Sequence, residues 1–174
     1  YKGISAAVLS ANGQWAAWRL TEAEGDATVL VKSLSGKEEY SFPAGQGAGT
    51  IEFSEDGLWA AFTSHMSKKE QDAAKKAKKP LQTKVTLVDL KTGKSSVVDK
   101  VRKFAVANER GGWIAMHKAM ADGAAPAPVA PPVPGATAPA RAKGSDLLLK
   151  NLKTGAMLNL GNVSEFEFDF QGRY

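Results

Sequence analysis

Phe53-Ser54-Glu55-Asp56-Gly57-Leu58-Trp59 reads as a strand end, a polar turn containing glycine, and a new strand opening on an aromatic. Three other stretches read the same way: Leu9-Ser10-Ala11-Asn12-Gly13-Gln14-Trp15, Ala107-Asn108-Glu109-Arg110-Gly111-Gly112-Trp113 and Phe168-Asp169-Phe170-Gln171-Gly172-Arg173-Tyr174. Trp15 and Trp59 are 44 residues apart, Trp59 and Trp113 are 54 apart, and Trp113 and Tyr174 are 61 apart. A unit recurring at this size marks a repeat architecture.

The first three units each hold a second glycine turn, at Leu34-Ser35-Gly36-Lys37, Lys91-Thr92-Gly93 and Lys153-Thr154-Gly155. The gap from this turn to the first turn of the next unit is nearly constant, at 21, 18 and 17 residues. The length variation falls elsewhere: Trp15 to Gly36 is 21, Trp59 to Gly93 is 34, and Trp113 to Gly155 is 42. Insertions confined to one connection map to one face of a repeat protein. The expected fold is therefore all-β: about three four-stranded antiparallel β-propeller blades, over residues 1–48, 49–100 and 101–162, plus the start of a fourth at 163–174.

Strands are expected in blade one at Ile4–Leu9, Gln14–Leu20, Ala27–Ser33 and Glu38–Phe42, the last with Tyr40 and Phe42 on one face. Asn12-Gly13 reads as a two-residue type I′ turn. Blade two follows with Thr50–Phe53, Leu58–Thr63, Val85–Asp89 and Lys94–Val98. Blade three uses Val101–Val106, Trp113–His117, Asp146–Lys150 and Ala156–Leu160, and Val163–Phe168 opens the fourth unit.

The two insertions differ in their physics. Ser67-Lys68-Lys69-Glu70 fits a capping box, the stretch to Lys79 is helix-favouring, and Pro80 ends it. One short helix is expected there. Residues 119–143 carry Pro126, Pro128, Pro131, Pro132, Pro134 and Pro139 among alanines and glycines, with no aromatic residue. That composition predicts a disordered loop with polyproline character, dispensable for the fold.

The formal net charge of +5 is local. Six lysines (68, 69, 75, 76, 78 and 79) stand against Glu70 and Asp72, whereas the rest of the chain is nearly balanced. The lysine helix lacks the aromatic or apolar stripe that nucleic acid or a membrane would engage, so neither partner is expected. The absence of cysteine excludes a disulfide framework and a Cys-ligated metal. No apolar run approaches the roughly 18 residues of a membrane span.

No catalytic, cofactor-binding or metal-ligating residue is expected in this chain. The Gly-x-Ser-x-Gly elbow, zinc-protease, phosphate-loop and EF-hand patterns are absent. Gly45-Gln46-Gly47-Ala48-Gly49 leads into a strand rather than a helix, and reads as an inter-blade connection. His65 and His117 both follow or end a second strand; without a carboxylate cluster they read as ordinary edge histidines rather than a metal pair. Asn12, Asp56 and Asp169 read as turn residues that bond the backbone. Trp15, Trp59, Trp113 and Tyr174 share one repeated position and read as inter-blade packing residues.

Phe53 to Phe62, followed by Val85-Thr86-Leu87-Val88-Asp89-Leu90-Lys91-Thr92-Gly93, resembles blades of the propeller in prolyl oligopeptidase-family serine peptidases. It is also similar to TolB-type propellers. The lysine-rich helix before Lys79-Pro80 and the later Gly161-Asn162-Val163-Ser164-Glu165-Phe166 look like a bacterial branch of the peptidase family. The resemblance implies a non-catalytic propeller that caps a C-terminal α/β-hydrolase domain and gates passing peptides. That family's triad lies in the hydrolase domain, so no catalytic residue carries over. The family's propellers have seven or eight blades, so the resemblance implies the N-terminal part of a longer chain. The other reading is part of a TolB-like or scaffold propeller that binds proteins. Open propeller edges would favour self-association.

Overall fold

The computed structural model describes residues 2–23, 25–107, 112–119 and 144–168. The readings placed on residues 120–143, on Asp169 and on Tyr174 lie outside these residues. Twelve strands and one helix are present among them. The first sheet holds β1 (Lys2–Leu9), β2 (Trp15–Glu22), β3 (Ala27–Ser33) and β4 (Glu39–Gly45). The second holds β5 (Ile51–Phe53), β6 (Trp59–His65), β7 (Thr83–Asp89) and β8 (Ser95–Asp99). The third holds β9 (Val101–Val106), β10 (Trp113–Lys118), β11 (Ser145–Asn151) and β12 (Met157–Val163). Every pairing is antiparallel and joins chain neighbours. These are three blades of a β-propeller. Strands β1, β5 and β9 approach one another as the inner strands. Among the described residues, no apolar cluster joins the third sheet back to the first, so the blades form an open arc.

The first turn of the first blade differs from expectation. Gly13 has φ +67° and donates its N–H to Ser10 O at 2.9 Å, while Asn12 keeps negative φ. This is a type I turn with a left-handed glycine, not a type I′ turn. The reason is the serine before it. Ser10 Oγ accepts from Trp15 N at 2.9 Å and donates to Asn12 Oδ1, which also accepts from Gln14 N. Ser54, Asp56, Gly57 and Trp59 repeat the arrangement, with Ser54 only 1% exposed. Gly57 is required by its left-handed backbone. Its φ is +65°, and a Cβ there would stand 2.0 Å from Asn12 Nδ2 of the preceding blade.

The second turns of blades two and three share another device. Asp89 Oδ1 accepts from the N–H groups of Lys91 and Thr92, and Asn151 Oδ1 does the same for Lys153 and Thr154. An Asx side chain thereby satisfies turn donors that the ladder leaves open.

Sheets pack face to face in chain order. Ala17, Val29 and Val31 of the first blade bury against Ile51, Ala60, Phe62, Val88 and Leu90 of the second. The period of two then sends Ala61, Val85 and Leu87 to the opposite face, against Val101, Phe104, Ile114 and Met116 of the third. An aromatic chain crosses the first joint: Trp15 stacks on Tyr40 at 5.9 Å, Tyr40 meets Phe42, and Phe42 meets Phe62 at 5.9 Å. Trp59 and Trp113 hold the matching places in the second and third clusters.

Two expectations are corrected here. Val163 ends β12, and Ser164–Phe168 is not strand. A strand is defined by its ladder, and the residues expected to return beside it lie beyond those described. Phe166 and Phe168 nevertheless pack on the face of the third blade, with Ala115, Leu147 and Leu149. The helix α1 (Lys68–Lys76) has the expected capping box, with Glu70 Oε2 accepting from Ser67 N at 2.7 Å. It stops well before Pro80, because Lys78 turns left-handed at φ +52° and Lys79 N closes on Ala74 O.

Replacing Ser54 by alanine removes the acceptor for Trp59 N. Urea denaturation should show a loss of about 1–2 kcal/mol with an unchanged m-value. An unchanged midpoint would mean that the turn stands without its serine.

Candidate functional site

The inner strands position the site. In a short antiparallel strand alternate side chains leave the sheet on opposite faces. Ile51 and Phe53 turn toward inter-blade packing, so Glu52 between them points the other way. A cleft of about 400 Å³ opens where the inner strands converge. Val8 and Leu9 line it from β1, Glu52 and Phe53 from β5, and Lys103 and Ala105 from β9. Phe166, Glu167 and Phe168 close one side. None of its lining side chains carries a hydroxyl, thiol or imidazole.

Glu52, Glu167 and Lys103 supply its charge. Glu52 Oε2 accepts from Val106 N at 2.9 Å, tying β5 to β9. Burial pushes the Glu52 carboxyl above its usual range, against the opposing pull of the Val106 N–H and the Lys103 charge. Lys103 Nζ lies 5.2 Å from the Phe166 ring centroid, a cation–π arrangement. An aromatic wall beside two carboxylates, Glu52 and Glu167, and one ammonium suits recognition of a polar chain.

A Ser–His pair does occur elsewhere, and its hydrogen bonds decide its role. His117 Nε2 is 2.8 Å from Ser145 Oγ and 2.9 Å from Val163 O. Ser145 Oγ lies 2.7 Å from Lys118 O and donates its proton there. Arg102 Nη2, a donor only, faces His117 Nδ1 at 3.4 Å. Those partners assign the proton to Nε2, where it is donated to Val163 O. In this tautomer the imidazole offers Ser145 no lone pair. The group ties β10 to β11 and to the chain leaving β12, with Phe166 edge-on to the ring at 5.9 Å.

His65 ends β6, on a different sheet, and its Nε2 meets Ala48 O. The two histidines are thus not brought together. Among the described residues, no group of three His, Cys, Asp or Glu side chains could hold a metal ion. The Gly45–Gly49 run connects β4 to β5 and wraps both the His65 ring and the Arg19 guanidinium. Asn12 and Asp56 bond the backbone of their own turns. Trp15, Trp59 and Trp113 lie half-buried in the inter-blade clusters.

Arg19 escaped the sequence reading. It is 1% exposed, and its Nη groups donate to Ala44 O at 2.9 Å and to Thr63 O at 3.1 Å, bridging the first two blades. Among the described residues no carboxylate pairs with it, and burial lowers its pKa. The available signal was its alternation with Ala17, which places it on an inward face.

A scan against protein-family models finds no match. A search of curated proteins also finds none. Among solved structures, the chain is similar to the β-propeller domain of the Trilobed protease from Pyrococcus furiosus, described as having an open velcro topology. The TM-score is 0.55 at 14% identity, over 92% of this chain and 42% of that one. The chain thus spans about two fifths of the propeller it matches. Variants of Synechocystis apocarotenoid oxygenase also align, one with a TM-score of 0.39 at 10% identity over 38% of that chain. Likeness at these identities concerns fold alone, and the first supports the β-propeller.

The raised Glu52 pKa sets a sign. A carboxyl that holds its proton more tightly when folded adds stability below the ordinary carboxyl pKa and loses it as pH rises through the folded-state value. Glu52→Gln keeps an acceptor for Val106 N but cannot titrate. Relative to that variant, the native chain should lose stability between about pH 4 and pH 7. Urea midpoints at the two pH values measure this, and a constant difference would contradict it.

Proposed function

We propose that this chain is the non-catalytic propeller segment of a prolyl oligopeptidase-like serine peptidase, where it caps an α/β-hydrolase domain and gates peptide access. The observation that carries the reading is the cleft between the inner strands, with Glu52, Glu167 and Lys103 on its wall. The likeness to a protease's propeller domain and the blade sequence at Phe53–Phe62 support it. A passage walled by strand backbones and a few side chains admits an extended peptide and excludes a folded one. Lys103 and Glu52 would meet peptide carboxylates and amines by charge.

The test uses the full-length protein. A fluorophosphonate should label one serine outside these residues. Ala105→Phe, which narrows the cleft, should lower kcat/KM for a long peptide about tenfold, or about 1.4 kcal/mol, while sparing a short chromogenic substrate. Failure of labelling would overturn the peptidase reading and favour a protein-binding scaffold propeller. Labelling with an unchanged long-to-short ratio would overturn the gating alone.

A further inference from the structure

The three blades have two unlike ends. The tight turns β1–β2 and β3–β4, and their counterparts, lie at one end of the strands. The β2–β3 connection, the α1 insertion and the inter-blade connectors lie at the other. At this second end α1 is fixed rather than dangling. Gln71 is buried and donates to Gln46 O and to Met66 O, Ala74 is buried beside it, and Asp26 accepts from Lys68 N at 2.7 Å. The side chains of Lys68, Lys69, Lys75, Lys76, Lys78 and Lys79 are all exposed on this rigid element.

Two backbone positions here carry lysine at a cost. Lys78, just past the helix, has φ +52°, and Lys100, at the corner between β8 and β9, has φ +57°. The matching corners of the other blades hold Gly45 at φ +62° and Asn162 at φ +60°, the residue types that accept left-handed backbone. A lysine at such a position is strained, and clustered ammonium groups repel one another. Both features add positive charge to the same end.

We propose that this end, centred on α1, is a docking surface for an acidic segment of a protein. A groove of about 630 Å³ runs between α1 and the β2–β3 connection. Lys68, Lys69 and Lys76 line it and suit carboxylates, while Asp26 and Asp72 beside them offer acceptors for peptide N–H groups. A peptide answers both, with carboxylates for the lysines and backbone N–H groups for the aspartates, whereas a phosphate backbone offers acceptors alone. The helix also has no aromatic on which a base could stack and no apolar stripe to enter a bilayer.

The test measures binding of a fluorescent oligoglutamate peptide to the full-length protein, with duplex DNA and phosphatidylserine vesicles in parallel. Joint reversal of Lys75, Lys76 and Lys79 to Glu should weaken peptide binding about tenfold or more. Reversal of Lys37, Lys91 and Lys94, exposed at the opposite end, should leave it unchanged. Lys78→Gly separates charge from fold. It should raise Tm by about 2–4 °C by relieving the left-handed lysine. It should also weaken binding about two- to fivefold. Equal loss from both reversals, or no peptide binding, would overturn the proposal. Tighter binding of DNA or vesicles, lost with the same α1 lysines, would overturn the choice of an acidic protein segment.

Discussion

Phe62 is fully buried between two sheets, with Phe42 of the preceding blade against its ring. A four-stranded sheet has two faces, and a middle blade can bury both only if a neighbour stands on each. Strand β6 meets this constraint within three residues: Ala60 and Phe62 face back, and Ala61 faces forward. The alternation of small and large residues sets how closely the blades approach. Truncating Phe62 would cost about 3–5 kcal/mol, a large share of the stability of an ordinary domain. The inner strands converge only because these joints hold their sheets at an angle, so the cleft follows from the packing.

Arg19 belongs to the same joint but follows different physics. Its guanidinium replaces water for carbonyls of Ala44 and Thr63 that the meeting of two sheets would leave unpaired. Thr63 and His117 hold the corresponding register, four residues after their tryptophans. His117 again ties its sheet to the chain that leaves it, through Val163 O. Polar residues at this level secure the connectors, whereas the tryptophan level is apolar. The connector end of the molecule consequently carries its helix and its lysine cluster, and the turn end carries repeated, locally satisfied hairpins.

The repeat was legible because turns and aromatics obey local rules. Gly57 and Gly93 mark left-handed positions, and Trp15, Trp59 and Trp113 open β2, β6 and β10 at one register. Strand ends were less legible, since a ladder extends as far as its neighbour allows. Strand β12 runs past Leu160 to Val163 because Ser145 is there to pair with it. The Asn12-Gly13 pair misled because a hairpin rule was applied without Ser10, whose hydroxyl stabilises a different turn. Glu52 and Arg19 were out of reach. Their partners lie more than 20 residues away, and nothing in a local pattern reveals a carbonyl or an N–H that tertiary packing will present.

The central claim is that consecutive blades form one cooperative body through their shared apolar faces, and native-state hydrogen exchange tests it most directly. The amides of Val31, Phe62 and Ile114 sit in the three different sheets. With Phe62→Ala, protection should fall at all three amides, most at Val31 and Phe62, because loss of the joint weakens the neighbour along with the mutated blade. A loss confined to the second sheet, with Val31 keeping its full protection, would show that the blades fold independently and would contradict the account.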